Sequence, residues 1–182
     1  MEIQVSLSAV PKYTDRQQDL MWTMLHDKGH VLDSNRKDSD LEELTHQYAS
    51  SPKMPLYRGL YEQELMALFK QSKLPAIHLS RYLSFSEDFD IAKGFSKAGK
   101  TDTVVEILPG AKNKAFNYWS HTRDLIMAAD LDKEFGGDEE ERDMIIEGLD
   151  SEREWIYPFD FKFKIVQSRS VKGVQVITIQ PV

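Results

Sequence analysis

A series of short apolar segments, each bounded by turn-forming residues, constrains the fold of this chain more than any other feature. The segments are rich in β-branched and aromatic residues, which is typical of strands. They are LYRGL at 56–60, TVVEILPG at 103–110, FDFKFKIV at 159–166 and VQVITIQ at 174–180. In FDFKFKIV, Phe161, Phe163 and Ile165 alternate with Lys162 and Lys164, which predicts one buried and one exposed face. We therefore expect strands to dominate after residue 110.

The first fifty residues indicate helices instead. Thr14 with Gln17, and Ser39 with Glu42, have the spacing of capping boxes. Apolar residues follow at helical spacing, namely Leu20, Met21, Met24 and Leu25, then Leu41, Leu44 and Tyr48. Two further helices are predicted at about 61–72 and 88–98. The acidic run GGDEEERD at 136–143 indicates a solvated loop or the start of a helix.

Length and composition narrow the class of protein. With 182 residues, 41% of them hydrophobic, the chain predicts a single domain at 1–182, with a helical region at 1–51 and a core at 52–182. The sequence has no cysteine, which excludes thiolate chemistry and fits a reducing compartment. No apolar run reaches the roughly 18 residues of a membrane span, and we see no export signal. A net charge of −7 disfavours general attraction to duplex nucleic acid.

Arg58 lies inside an apolar predicted strand and is followed by Gly59. Its guanidinium stays charged, so burial without an anionic partner costs free energy. Two partners remain open, a protein carboxylate and the phosphate or pyrophosphate of a ligand. Gly59 permits close approach of a ligand to the backbone, because it has no side chain.

Two serines share a face of the predicted strand YLSFS at 82–86. Ser86 is placed to cap the helix that begins near Asp88, whereas Ser84 has no such structural role. The sequence lacks G-x-S-x-G, H-E-x-x-H, G-x-x-x-x-G-K-[ST] and a strand followed by G-x-G-x-x-G, and its five histidines show no motif spacing. Serine hydrolysis, metalloproteolysis, nucleoside triphosphate hydrolysis and hydride transfer therefore lose support.

The segment SEREWIYP at 151–158 places Glu152 and Glu154 two residues apart at the start of another predicted strand. Side chains at i and i+2 of a strand share a face, so the two carboxylates repel unless a ligand or cation lies between them. The structural alternative is a pair of solvent-facing acids on an edge strand.

In this order, arginine–glycine, S-x-S and E-x-E resemble the mono-ADP-ribosyltransferases of the arginine–serine–glutamate class, which include arginine-modifying transferases of T-even phages and clostridial binary-toxin enzymes. The resemblance covers about 52–182, and its most specific part is the stretch SEREWIYPFDFKFKIV at 151–166. It implies an α+β fold in which a helical N-terminal region packs on a two-sheet core. NAD would lie in the cleft between the sheets.

The resemblance also implies roles for the two acids. Glu154 would stabilise the oxocarbenium-like transition state that forms as the bond between nicotinamide and ribose breaks. Glu152 would face the acceptor, and glutamate at this position accompanies arginine modification in the family. A carboxylate can pair with a guanidinium and help to remove its proton, which gives a physical reason for that association.

The remaining motif residues would bind NAD. Arg58 would contact a phosphate, and the backbone of Gly59 would meet the nicotinamide amide. Ser84 would form the floor of the nicotinamide pocket and orient Glu154, with Ser86 as the lesser member of the pair. The ring that stacks on nicotinamide would be Phe95 or Phe89, which the sequence does not separate.

The sequence therefore predicts a glycosyltransferase that moves ADP-ribose from NAD to arginine on a host protein and needs no metal. Likeness to phage enzymes and the lack of an export signal favour a monomeric phage protein that acts in the bacterial cytoplasm. By analogy, its target would belong to the host transcription or translation machinery. Three alternatives stay open: an NAD glycohydrolase toxin, a transferase that modifies nucleic acid, and a degenerate fold that only binds.

Overall fold

The structure of the protein is a computed structural model, and it describes residues 13–33 and 36–182. Residues 1–12, on which the expectation about an export signal rests, lie outside the described part. Within it the chain forms seven α-helices and eight strands. In chain order these are α1 (Asp15–Leu32), α2 (Ser39–Gln47), β1 (Ala49–Ser50), β2 (Leu56–Gly59), α3 (Glu62–Gln71), β3 (Leu83–Ser86), α4 (Phe89–Ala98), β4 (Thr103–Ile107), β5 (Ala115–Phe116), α5 (Tyr118–Ala128), α6 (Leu131–Phe135), α7 (Glu139–Glu152), β6 (Glu154–Tyr157), β7 (Phe163–Val171) and β8 (Val174–Pro181). None of the described helices combines the length and the apolar character that crossing a membrane requires.

The eight described strands form one hydrogen-bonded sheet in the order β1-β5-β6-β3-β2-β4-β8-β7, whereas the resemblance implies two sheets. The reason lies at the joint between β3 and β2, which pair through Tyr57 opposite Ser86. On either side of this joint the pairing is longer, since β3 pairs with β6 and β2 with β4 along four residues each. One narrow contact therefore links two half-sheets, β1-β5-β6-β3 and β2-β4-β8-β7.

Helices cover the sheet, as the predicted α+β class requires. Met21 and Met24 of α1 and Leu41 and Leu44 of α2 are buried in one hydrophobic cluster with Ile156 of β6. The predicted N-terminal helical region thus packs on the first half-sheet. Burying such apolar side chains stabilises the fold by about 1.5–3 kcal/mol each.

On the second half-sheet, the alternation in FDFKFKIV is confirmed. Phe163 is buried, and Phe161 and Ile165 pack against the same cluster as Leu68 of α3. The strand β7 begins only at Phe163, because the chain turns just before it.

The helix caps confirm one prediction and correct two. Thr14 and Gln17 form the predicted capping box of α1. The second box is wrong, because the carboxylate of Asp38 accepts the hydrogen bond from the Leu41 amide and Ser39 is already helical. Ser86 does not cap α4, because Asp88 accepts the bonds from the amides at the start of that helix.

The expectation that strands dominate after residue 110 is wrong for residues 118–152. This segment forms the three helices α5, α6 and α7. The acidic run at 136–143 contains the start of α7, whose N-cap is Asp138. Leu149 is buried in this helix, and Ile145 and Ile146 pack against the same hydrophobic cluster, so α7 presents only a short apolar face.

Candidate active site

A cleft of about 790 Å³ opens where the two half-sheets meet. It lies between α1, β2, β3, α4 and the residues that join α7 to β6. Seven of the eight predicted site residues line it, namely Arg58, Gly59, Ser84, Ser86, Phe95, Glu152 and Glu154. The topology therefore gathers residues that lie far apart in the sequence.

Glu154, the first residue of β6, is held on the floor of this cleft. Glu154 is 6% exposed, and it lies opposite Ser86 in the antiparallel pairing of β3 with β6. Ser84 lies diagonally across on the same face, because alternate residues of a strand point the same way. The Ser84 hydroxyl donates a hydrogen bond to Oε1 of Glu154. The geometry thus provides the orienting contact that the resemblance implies, while the catalytic role of Glu154 stays a prediction.

Glu152 and Glu154 do not lie on one strand, so that part of the sequence interpretation is wrong. Glu152 ends α7, Arg153 adopts a left-handed conformation with φ of 43°, and Glu154 begins β6. The Ser86 hydroxyl donates to the Glu152 carbonyl oxygen at 2.6 Å and accepts from the Asp88 amide at 3.0 Å. Ser86 therefore fixes the backbone of the helix-to-strand junction.

The two carboxylates nevertheless meet, because Lys28 of α1 reaches between them. Its Nζ lies 2.8 Å from Oε2 of Glu152 and also donates to Oε2 of Glu154. Asp27, the residue before it, breaks the helical geometry with φ of −149° and ψ of 65°. Burial by itself lowers the pKa of Lys28, but Glu154 and Glu152 outweigh that effect and raise the pKa above its usual range. The lysine is therefore a permanent cation between the acids.

Sequence reasoning missed Lys28. A lone lysine on an amphipathic helix is typical of a solvent-facing position, and nothing in the sequence links it to two acids more than a hundred residues away. The side chain is 31% exposed, and its Nζ also lies over the ring of Tyr118, 5.6 Å from the ring centre. The tertiary packing of α1 therefore completes the site.

The sequence left two kinds of partner open for Arg58, and the structure provides one of them, a protein carboxylate. Its Nη2 lies 2.6 Å from Oε1 of Glu64 in α3, and its Nη1 donates to the Ser84 carbonyl oxygen at 2.8 Å. Oε2 of Glu64 accepts from the Tyr61 amide at 3.2 Å, so this buried carboxylate is well satisfied. Arg58 still lines the cleft, and phosphate binding by it stays a prediction.

Gly59 is required by packing, for a reason the sequence could not show. A Cβ at this position would lie 2.1 Å from the Ala92 carbonyl oxygen and 2.4 Å from the Ser96 amide nitrogen, both in α4. The backbone of α4 therefore lies directly on β2. The predicted contact of the Gly59 backbone with a ligand stays untested by this packing.

The two candidate aromatic residues occupy different places on α4. Phe95 is 48% exposed and lines the cleft. Phe89 instead packs edge-on against Tyr57, with 5.4 Å between the ring centres, and Lys172 covers its ring. The geometry favours Phe95 as the ring available to a ligand.

The group of described residues with spacing suited to a metal ion lies elsewhere. It consists of Glu42, His46 and Asp160, and Lys37 already pairs with Glu42 at 3.2 Å. Burial by itself raises the pKa of Glu42, but the hydrogen bond from the Phe159 amide and the contacts with His46 and Lys37 outweigh burial and hold the pKa below its usual range. A lysine in this position makes the group a salt-bridge network on the protein's surface.

Several solved structures have a similar fold. Exoenzyme S from Pseudomonas aeruginosa, solved with human 14-3-3 protein beta and Carba-NAD, has a TM-score of 0.55 at 12% identity, over 92% of this chain and 74% of that one. Plx2a, an ADP-ribosyltransferase toxin from Paenibacillus larvae, has a TM-score of 0.53 at 12% identity, over 93% and 87%. The type III effector XopAI from Xanthomonas axonopodis pv. citri, truncated at its N-terminus, has a TM-score of 0.53 at 12% identity, over 93% and 68%. The fold is that of the ADP-ribosyltransferases.

The sequence supplies the family. Residues 6–182 match the family described as bacteriophage T4 Mod ADP-ribosyltransferase, and the chain belongs to that family. Comparison with curated protein sequences gives no significant match.

Proposed function

We propose that this ADP-ribosyltransferase uses NAD to modify arginine side chains of a host protein. The observation that carries the proposal is the pair of carboxylates in the cleft, Glu154 and Glu152, joined by the ammonium of Lys28. Glu154 is buried and oriented by Ser84, whereas the side chain of Glu152 is 46% exposed. This difference in exposure supports a division of roles, in which Glu154 would face a ligand inside the cleft and Glu152 a partner that arrives from solvent.

The reaction assigns a separate task to each acid. The bond between nicotinamide and ribose C1′ breaks, and its electron pair leaves with nicotinamide. Positive charge develops on the ribose, where the carboxylate of Glu154 would stabilise it. A guanidino nitrogen of the acceptor then forms the new bond to C1′, and Glu152 would accept the proton that this nitrogen loses.

Lys28 supports a cationic acceptor on chemical grounds. The carboxylates already bind an ammonium from the protein itself, and an arginine guanidinium offers the same charge with more donors. An incoming arginine would replace Lys28 as the partner of Glu152. The same contact supports NAD hydrolysis as a second candidate. While Lys28 is bound to Glu152, a cationic acceptor has no free partner there, and water meets less competition for the ribose.

Family membership supports the biological part of the proposal. A member of a phage transferase family would be made in an infected bacterium and act in its cytoplasm, as a monomer, on transcription or translation proteins of the host. Nucleic acid as acceptor is the less favoured form, because the exposed partner at the site is a carboxylate and would repel phosphate.

The test is incubation with NAD labelled in its adenylate part and with bacterial lysate, followed by mass spectrometry of modified peptides. ADP-ribose on arginine, together with release of nicotinamide, is the expected result. Nicotinamide release without labelled protein would replace the proposal with a glycohydrolase. Label that survives protease but not nuclease would replace the arginine acceptor with nucleic acid.

A further inference from the structure

We propose that Arg81, which precedes β3, forms with Arg58 a two-arginine site for the diphosphate of NAD. The inference rests on the proposed function, because its ligand is the substrate of that reaction. Arg81 lines the same cleft as Arg58, and its side chain is 23% exposed. No sequence motif singles out Arg81, since it lies outside S-x-S.

The two guanidinium groups share one carboxylate oxygen. Oε1 of Glu64 lies 2.6 Å from Nη2 of Arg58 and 3.6 Å from Nη1 of Arg81. Glu64 is buried, and its single negative charge cannot neutralise two permanent cations. The second positive charge is balanced by Asp33 at the end of α1, and an anion from solvent would compete with that acid for Arg81.

The other partner of Arg81 is weak. Nη2 lies 3.0 Å from Oδ1 of Asp33, but the Asp33 side chain is 74% exposed. An ion pair with so exposed an acid contributes little stability, because solvent screens it. Nε of Arg81 is buried and has no hydrogen-bond partner among the described residues. A buried N–H without an acceptor is unfavourable, so the surroundings of Arg81 do not satisfy its hydrogen bonds completely.

The arrangement fits a diphosphate better than a single carboxylate. Both guanidinium groups lie beside the same Glu64 oxygen, so adjacent phosphates of one ligand can each meet one group. Arg58 also donates to the Ser84 carbonyl, and Ser84 holds Glu154. A diphosphate bound at the two arginines would thus connect directly to the residues that face the ribose.

The test compares Arg81→Met, Arg81→Lys and Asp33→Asn in the complete chain. Calorimetry gives the dissociation constants of NAD, of ADP and of adenosine, which lacks phosphate, and thermal unfolding gives stability. We expect Arg81→Met to weaken NAD and ADP binding about tenfold or more, because charged hydrogen bonds to phosphate are lost. Adenosine binding should not change, and Arg81→Lys should restore part of the affinity because it keeps the charge.

Asp33→Asn separates ligand binding from a structural role. If Arg81 binds the diphosphate, freeing it from Asp33 leaves NAD affinity unchanged or raises it. If Arg81 only ties α1 to α3, Arg81→Met and Asp33→Asn lower the melting temperature together and leave the dissociation constant of ADP unchanged, which overturns the inference. Wild-type protein that binds ADP and NAD while Arg81→Met binds them equally well overturns the inference alone. Wild-type protein that binds neither overturns the proposed function as well.

Discussion

The Lys28 ammonium lies 2.8 Å from the Glu152 carboxylate, although 124 residues separate them in the chain. The contact ties the N-terminal helical region to the junction between α7 and β6. That region thus contributes a side chain to the candidate site. Its charge also removes the repulsion that two neighbouring acids would otherwise feel.

Replacing Lys28 by Met should free Glu152 for a cationic acceptor. A partly exposed ion pair contributes up to about 1 kcal/mol, so we expect the KM for a small guanidino acceptor such as agmatine to fall about fivefold. Initial rates of agmatine modification against agmatine concentration provide the measurement. Arg123→Gln is a matched control, because it removes a cation of a nearby surface pair with Asp150 without touching Glu152. A loss of kcat for both transfer and hydrolysis at unchanged KM would show that Lys28 positions the acids instead.

Glu154→Gln should abolish most activity without preventing NAD binding. The amide keeps the shape of the side chain and can still accept from Ser84, but it loses the negative charge that opposes the ribose cation. The rate of both transfer and hydrolysis should fall by about a few hundredfold, which corresponds to the loss of one electrostatic transition-state contact. Nicotinamide release and calorimetric NAD binding check the two halves of this expectation. Activity within about tenfold of wild type would remove Glu154 from the catalytic role.

Glu152→Gln should separate the two reactions. Water needs no guanidinium partner, whereas an incoming arginine must be oriented and must lose a proton that its high pKa retains. Arginine labelling should therefore fall at least about a hundredfold, while slow NAD hydrolysis persists. One assay that counts released nicotinamide against protein-bound label measures both. A parallel fall of the two activities would assign Glu152 to NAD or to the fold.

Arg58→Ala should raise the KM for NAD and also destabilise the protein. The phosphate contact exists in ground and transition states alike, so KM changes more than kcat. The substitution also leaves the buried Glu64 with the longer contact to Arg81 as its remaining ion pair among the described residues, at a cost of about 3 kcal/mol in the free energy of unfolding. Glu64→Gln is the control, because it breaks the same ion pair while keeping the arginine. If Glu64→Gln raises the KM for NAD as much as Arg58→Ala does, Arg58 acts by stabilising the fold and not by contacting a phosphate.

Phe95→Ala and Phe89→Ala should differ in what they change. Phe95 is half exposed in the cleft, so its loss should raise the KM for NAD about tenfold, which is the order expected for one ring stacked on a base. Phe89 packs against Tyr57, and its loss should lower the free energy of unfolding by about 2 kcal/mol with little effect on KM. Steady-state kinetics and urea unfolding measure the two effects. The reverse result would exchange their roles.

The sequence by itself determined several of the short strands, the helices α1 and α2 and seven of the residues that line the cleft. These features follow from local rules, since alternation, capping and isolated polar residues in apolar strands are visible within a few positions. FDFKFKIV and the Thr14–Gln17 box are the clearest cases. Elsewhere the local rule misplaced two caps. At the start of α2, Asp38 and Ser39 are both good capping residues, and only backbone geometry chooses between them.

Only the tertiary structure decided how the site is assembled. Glu152 and Glu154 do meet, but not through strand alternation as the sequence predicted. The left-handed Arg153 places one acid at a helix end and the other on a strand. The positions of Lys28 and Arg81 in the cleft also depend on tertiary packing. Their sequence neighbourhoods are those of ordinary surface cations, and their partners come from α7, β6, α3 and the end of α1. Long-range ion pairs depend on where whole elements pack, and no local pattern in the chain encodes that placement.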